Sequence, residues 1–160
     1  MKLPVIIAAG ALVLTLAQTV RAEGCKLSIE GNDLMQYSVR ELSVPSSCTE
    51  VELTLKHAGH LDAKVMGHDW VLAKASDVSA IVNAGMASGL AHGYLPAGDK
   101  RILASTKIVG GGESATVTFS TAALQPDVSY AFFCTTPGHA TIMRGKFLFG
   151  ADKRMAQVGK

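Results

Sequence analysis

Between residues 134 and 143 the chain reads CTTPGHATIM, and this short stretch carries a thiol at Cys134, an imidazole at His139 and a thioether at Met143. Two soft sulfur donors and an imidazole favour copper over hard cations such as calcium or magnesium. A second imidazole would complete a trigonal Cys-His-His set with a weak axial Met, the geometry of blue-copper electron transfer. The segment Val65-Met66-Gly67-His68-Asp69-Trp70 supplies one in His68. Taken singly, each residue has a plainer reading: a satisfied histidine, a buried inert thiol, a core methionine. Zinc is the chemical alternative for the set, since it accepts Cys and His, but a structural zinc prefers a closed set of strong ligands.

The elements that must position these donors are strands. Residues 128–133 read as one strand and residues 144–149 as another, so the donors lie on and around a short loop tied at both ends. Upstream, Lys26 to Gly31 alternates apolar and polar residues, as do Tyr37 to Val44 and Glu50 to His57. That period of two marks strands with one buried face. Asp69 to Ala73 is a short apolar piece. Ile102 to Val109 and Ser114 to Phe119 read as a pair joined by a hairpin through Gly110-Gly111-Gly112-Glu113. Val78, Ile81 and Val82 fall at helical spacing, which predicts a short helix from about Asp77 to Ala84, capped by Ser76 or Asp77 and packed outside the strands. The fold class expected is all-β: a Greek-key β-sandwich of about eight strands with a short helical flap.

The ends of the chain read differently. Met1-Lys2, an apolar run from Leu3 to Val20 and the small-residue ending Val20-Arg21-Ala22 make residues 1–22 a secretory signal, cut after Ala22. Residues 23–150 are the expected domain, and residues 151–160 a polar, basic tail. Without Lys2 and Arg21 the 15 basic residues of the chain fall to 13, against 13 acidic ones. A neutral mature chain speaks against nucleic acid as a partner, because phosphate binding needs a basic face. No membrane contact is expected after cleavage. Three cysteines are an odd number: in an oxidising compartment two pair and one is left. Cys25 and Cys48, early and at predicted strand edges, are the natural pair, and Cys134 is then the free thiol, which metal ligation would protect.

Several of these stretches together resemble the azurins, blue-copper proteins of the cupredoxin family. They are Gly31-Asn-Asp-Leu-Met-Gln-Tyr, Val65-Met-Gly-His-Asp-Trp-Val-Leu, Asp99-Lys-Arg-Ile-Leu-Ala-Ser-Thr-Lys-Ile-Val-Gly, Phe132-Phe-Cys-Thr-Thr-Pro-Gly-His and Met143. The resemblance implies a cupredoxin-like sandwich and one copper ion. It points to His68, Cys134 and His139 as strong ligands, Met143 as a long axial ligand, and the carbonyl of Gly67 as a second weak axial contact. It also implies a Cys25–Cys48 disulfide, N–H donors from Asp69 and Thr136 near the Cys134 sulfur, and a buried indole at Trp70. His57 resembles a histidine beside the copper region and is expected partly buried, not ligating; His60 and His92 read as loop residues.

The function implied is a periplasmic carrier of single electrons, monomeric and not an enzyme. Its expected partners are redox proteins such as c-type cytochromes or periplasmic reductases. They would dock near an exposed edge of His139, in an apolar patch of Met35, Leu61, Met66, Met86, Pro137, Gly138 and Ile142. Copper storage or delivery is the alternative, though scattered methionines suit it poorly. A copper enzyme would need a second accessible metal site, and a Cys-His hydrolase would need residues already spent on metal. Two positions depart from the azurin pattern. Asp69 stands where an Asn is usual, and Thr136 where a Phe is usual. Loss of the amide and an added negative charge lead us to expect a looser site and a lower reduction potential; Thr136 removes an aromatic from the patch.

Overall fold

The computed structural model describes residues 25–150; the expected signal segment (1–22) and tail (151–160) lie outside the described residues. Two sheets face each other. The first has the order β2-β1-β4-β7, built from β1 (Lys26–Asn32), β2 (Gln36–Tyr37), β4 (Glu50–His57) and β7 (Ser114–Ser120). The second has the order β3-β9-β8-β5-β6, from β3 (Glu41–Val44), β5 (Val71–Lys74), β6 (Ala104–Ser105), β8 (Tyr130–Phe133) and β9 (Arg144–Phe149). β1 runs parallel to β4 and β3 parallel to β9, while the other pairings are antiparallel.

Alternation decides which side chains enter the core. In β4, Val51, Leu53, Leu55 and His57 are buried, and the residues between them are not. The same parity therefore carries a histidine inward at the strand's end. Trp70 fills the centre, with ring centroids 5.9 Å from Phe119, 6.2 Å from Phe132 and 6.3 Å from Phe147. These rings come from β7, β8 and β9, so one indole joins both sheets. Core aromatics of this kind contribute about 3–5 kcal/mol each against truncation to Ala.

Two sequence expectations change. The alternating run from Tyr37 to Val44 is not one strand: Gln36–Tyr37 pairs with β1, and Glu41–Val44 pairs with β9 in the other sheet. Residues 38–41 are all exposed and burial resumes at Leu42 on the opposite parity from Tyr37, so the period of two breaks where the chain leaves one sheet for the other. The hairpin between Ile102–Val109 and Ser114–Phe119 does not form either. β6 pairs with β5, Val109 forms an isolated bridge with His68, and β7 pairs with β4. The glycine-rich turn instead carries the chain from one sheet to the other. The helix is close to expectation: α2 (Val78–Gly85) lays Val78 and Ile81 on Val71, Ala73 and Phe133, the outer face of the second sheet. Asp77 is its N-cap residue but makes no side-chain cap bond.

Cys25 and Cys48 are joined, with Cα atoms 5.7 Å apart and a sequence separation of 23. The bond ties the start of β1 to the turn before its parallel neighbour β4. A loop of that length restricts the unfolded chain by about 3 kcal/mol in the chain-entropy account. The paired replacement Cys25→Ala with Cys48→Ala is expected to lower unfolding stability by that amount in denaturant titration, with the visible properties of the site unaltered; a loss well under about 1 kcal/mol would contradict this.

Candidate metal centre

The ligand loop leaves β8 at Cys134 and returns to β9 at Arg144. It is hydrogen-bonded to itself: Cys134 N–H donates to the Met143 carbonyl at 3.0 Å, Met143 N–H to His139 at 2.7 Å, and His139 N–H to Thr136 at 2.9 Å. Gly138, at φ 84°, turns the chain into the 3-10 turn His139–Thr141. A left-handed residue is needed there, and glycine supplies it without a Cβ clash. His68 arrives from the opposite side. It follows the short helix α1 (Ala63–Met66), whose cap is the Asp62 carboxylate accepting Lys64 N–H at 2.8 Å. Its backbone exchanges hydrogen bonds with Val109 at 3.0 and 2.8 Å. The Tyr37 hydroxyl donates to the Asp69 carbonyl, and Trp70 N–H donates to Thr106 Oγ1 at 3.0 Å. The second histidine is thus held by backbone on both sides.

The structure brings His68, Cys134 and His139 together, with one donor atom from each, all within 4.8 Å of one another. Nδ1 of His68 lies 3.9 Å from the Cys134 sulfur and Nδ1 of His139 lies 3.6 Å from it. Two donors on metal bonds of about 2.0 and 2.3 Å sit roughly 3.7 Å apart at a trigonal angle, so these separations suit one small ion. The His68 tautomer is also set. Its Nε2 lies 2.8 Å from the Asn32 carbonyl and must donate, which leaves Nδ1 bare toward the sulfur. The donor set therefore fits a soft, trigonal, mononuclear metal.

Burial shapes the protonation of all three. The Cys134 thiol is pushed well above its usual range by desolvation and next by the Asp69 charge. Hydrogen bonds from Asp69 N–H and from the Thr136 hydroxyl and N–H oppose this, and they place donors at the sulfur as expected. Desolvation lowers His68 to about 4, against the hydrogen bond to Asn32, with His57 and His139 adding to the drop. His139 is lowered for the same reason. At neutral pH both imidazoles are neutral, the form that binds metal.

Met143 and Gly67 are both buried in the same region. A Cβ on Gly31 would lie 2.8 Å from the His68 ring and 2.9 Å from the Met143 methyl, so the bare backbone of β1 forms the cradle for both side chains. A Cβ on Gly67 would lie 2.4 Å from the Ala63 carbonyl oxygen, which leaves room for glycine alone. The Gly67 carbonyl accepts the Thr136 hydroxyl at 2.7 Å. That contact was not foreseen: Thr136 ties the two ligand segments together. Asp69 does so as well, with its carboxylate accepting Thr135 N–H at 2.7 Å and the Thr135 hydroxyl at 2.5 Å. The Asp69 carboxylate bridges the two ligand segments as an acceptor, a role that needs no amide N–H.

His57 stacks on His68 at 4.5 Å and 9° between ring planes. It is fully buried, more so than expected. Its Nδ1 accepts Gly59 N–H at 3.0 Å and its Nε2 lies 2.8 Å from the Met66 carbonyl, so it supports the ligand ring and does not face the sulfur. Around the site Leu61, Met86, Pro137, Gly138 and Ile142 are exposed and Met35 and Met66 half-buried. Leu34 and Val65, each next in sequence to a patch residue, are exposed apolar side chains that the sequence reading passed over. His139 itself is only 4% exposed, a narrower edge than expected.

Comparison with known proteins agrees with this geometry. Residues 23–149 match the model of the copper-binding proteins of the plastocyanin/azurin family. The chain is 46% identical to an azurin of Achromobacter denitrificans over 136 residues, 84% of this chain and 91% of that one. It is 42% identical to the azurin of Pseudomonas aeruginosa over 139 residues, 87% and 94% of the two chains. Among solved structures, the azurin Az-iso2 of Methylomonas sp. strain J superposes with a TM-score of 0.76 at 42% identity, covering 78% of this chain and 97% of that one.

Asp69 and His68 oppose each other in pH dependence. Burial raises Asp69 to about 6 from 3.8, so the folded state holds its proton longer, and stability from this group falls as pH rises through that window. His68, lowered from 6.5 to about 4, does the reverse: the unfolded chain takes up the proton first, and stability is lost as pH falls from about 6.5 to 4. Asp69→Asn in the metal-free protein should therefore steepen the loss of stability on acidification through that range, read by denaturant midpoints at several pH values. An unchanged or shallower slope would contradict the assignment.

Proposed function

Because the chain belongs to the plastocyanin/azurin family of copper-binding proteins, we propose that it carries single electrons between periplasmic redox proteins, with one copper ion held by His68, Cys134 and His139. Met143 and the Gly67 carbonyl would hold the same ion more weakly. Copper supplies one-electron Cu(II)/Cu(I) chemistry when bound. The chain's own residues keep the donor positions alike in both states. Asn32 holds the His68 tautomer, the Cys134–Met143 and His139–Met143 backbone bonds hold the loop, and Asp69 and Thr136 bind one ligand segment to the other. Cys134 is buried in one core cluster with Trp70, Phe132 and Met143, which keeps bulk water from the sulfur. The observation that carries the reading is the meeting of two imidazole Nδ1 atoms and one thiol sulfur, all within 4.8 Å of one another.

Residues 1–22 serve as a cleaved signal to the periplasm, residues 23–150 as the copper domain and residues 151–160 as a tail. The Cys25–Cys48 disulfide suits that oxidising compartment. The protein acts as a monomer and not as an enzyme, exchanging electrons with c-type cytochromes or periplasmic reductases at the apolar surface beside His139. Small apolar faces suit such brief encounters. Storage or delivery fits less well, because the three donors are buried and none is offered to an acceptor protein.

Mixing the copper(I) protein with an oxidised c-type cytochrome in a stopped-flow instrument tests the reading. One electron per chain should pass, with copper retained against a chelator on the same timescale; fast copper loss without electron transfer would support delivery instead. In the same preparation, Asp69→Asn should raise the reduction potential, since a buried negative charge beside the sulfur favours Cu(II); an unchanged or lowered potential would refute that role for Asp69.

A further inference from the structure

The two sheets treat their surface charge differently. On the first sheet Lys26 pairs with Glu52 at 3.0 Å and Lys56 with Glu30 at 3.7 Å. On the second, a groove of about 720 Å³ runs over the outer face, between α2 and the strands β8, β9 and β3. Arg40, Arg144 and Lys146 line it, all exposed, and among the described residues none of the three forms an ion pair. Glu41, the register partner of Lys146, is the acid among its lining residues. The groove therefore keeps a net charge of about two positive, over a small apolar floor at Ala131.

This groove is continuous with the apolar patch. Arg40 Nη1 donates to the Ile142 carbonyl at 2.5 Å and to the Arg144 carbonyl at 3.3 Å, which fixes its guanidinium at the end of the ligand loop. Ile142 is 45% exposed and belongs to the patch; Thr141, within the 3-10 turn that begins at His139, lines the groove. We propose that this groove seats an acidic segment of the redox partner, so that the docking face is an apolar patch with a basic flank on one side. The inference rests on the electron-carrier reading and names the partner's chemistry. Arginine recognises carboxylates through paired N–H donors, and held in place it loses little freedom on binding. Charges at the rim of an interface act mainly on the rate and orientation of encounter, and salt screens them over about 10 Å at 0.1 M.

The test uses the copper-loaded protein and two c-type cytochromes of matched potential, one with an acidic and one with a basic surface. Arg144→Gln with Lys146→Gln brings the groove's net charge to about zero; Arg40 is left in place because it braces the loop. With the acidic cytochrome, raising ionic strength from about 10 to about 200 mM should slow electron transfer by roughly tenfold in the parent, and the double variant should lose most of that dependence. Amide shifts in the copper(I) protein, followed by NMR as the acidic cytochrome is added, should include residues 128–131 and 144–148. Equal salt dependence in parent and variant, shifts confined to residues 134–143, or binding to phosphatidylglycerol vesicles with no change in cytochrome rates would overturn the proposal. If both cytochromes exchange electrons at salt-insensitive rates, the groove proposal alone fails; if neither does while the chromophore is intact, the electron-carrier reading fails with it.

Discussion

One buried sulfur sets the terms for the rest of the molecule. Cys134 is fully enclosed, and two imidazole nitrogens face it at 3.6 and 3.9 Å. Gathering three donors in a dry place costs desolvation and conformational freedom, and neither cost can be met by the donors themselves. It is met by the sandwich. Cys134 and Met143 continue the β8–β9 ladder beyond its last strand pair, and His68 bridges to Val109. Trp70 lies two residues from His68 and binds both sheets through its aromatic neighbours. Moving one ligand would therefore strain backbone pairings and core packing together.

Crossties between the two ligand segments add to this. Asp69 reaches Thr135, and Thr136 reaches Gly67. Both involve the positions at which this chain departs from the azurin pattern. A carboxylate takes over the bridging as an acceptor, but its burial carries an electrostatic cost that its raised pKa of about 6 reports. A threonine hydroxyl gives up aromatic surface and gains a hydrogen bond to the carbonyl of Gly67. The two ligand segments are thus joined by hydrogen bonds from both positions, with a carboxylate buried beside the site.

The three residues that meet, His68, Cys134 and His139, were legible because their chemistry is carried by residue type: a thiol and two imidazoles, with a methionine close by in sequence, admit few readings together. The strands were legible where one face is buried, as in β4, and so was α2, where Val78 and Ile81 recur at helical spacing. What could not be read was partnership. The run from Tyr37 to Val44 pairs its two ends in different sheets, and the glycine-rich turn after Gly110 resembles a hairpin connection yet crosses between sheets. Roles played by backbone were hidden too. The Asn32 carbonyl that fixes the His68 tautomer leaves no mark on residue identity, and the cradle at Gly31 shows only as a glycine inside a strand.

The central claim is that Cys134, His68 and His139 bind one copper ion in a frame that holds them in place. Adding Cu(II) to the purified metal-free protein and recording its visible and EPR spectra tests it most directly. The account predicts an intense blue band with narrow copper hyperfine splitting, at one equivalent per chain. A folded protein that stays colourless, or a Cys134→Ser variant that keeps the parent's spectrum, would contradict it.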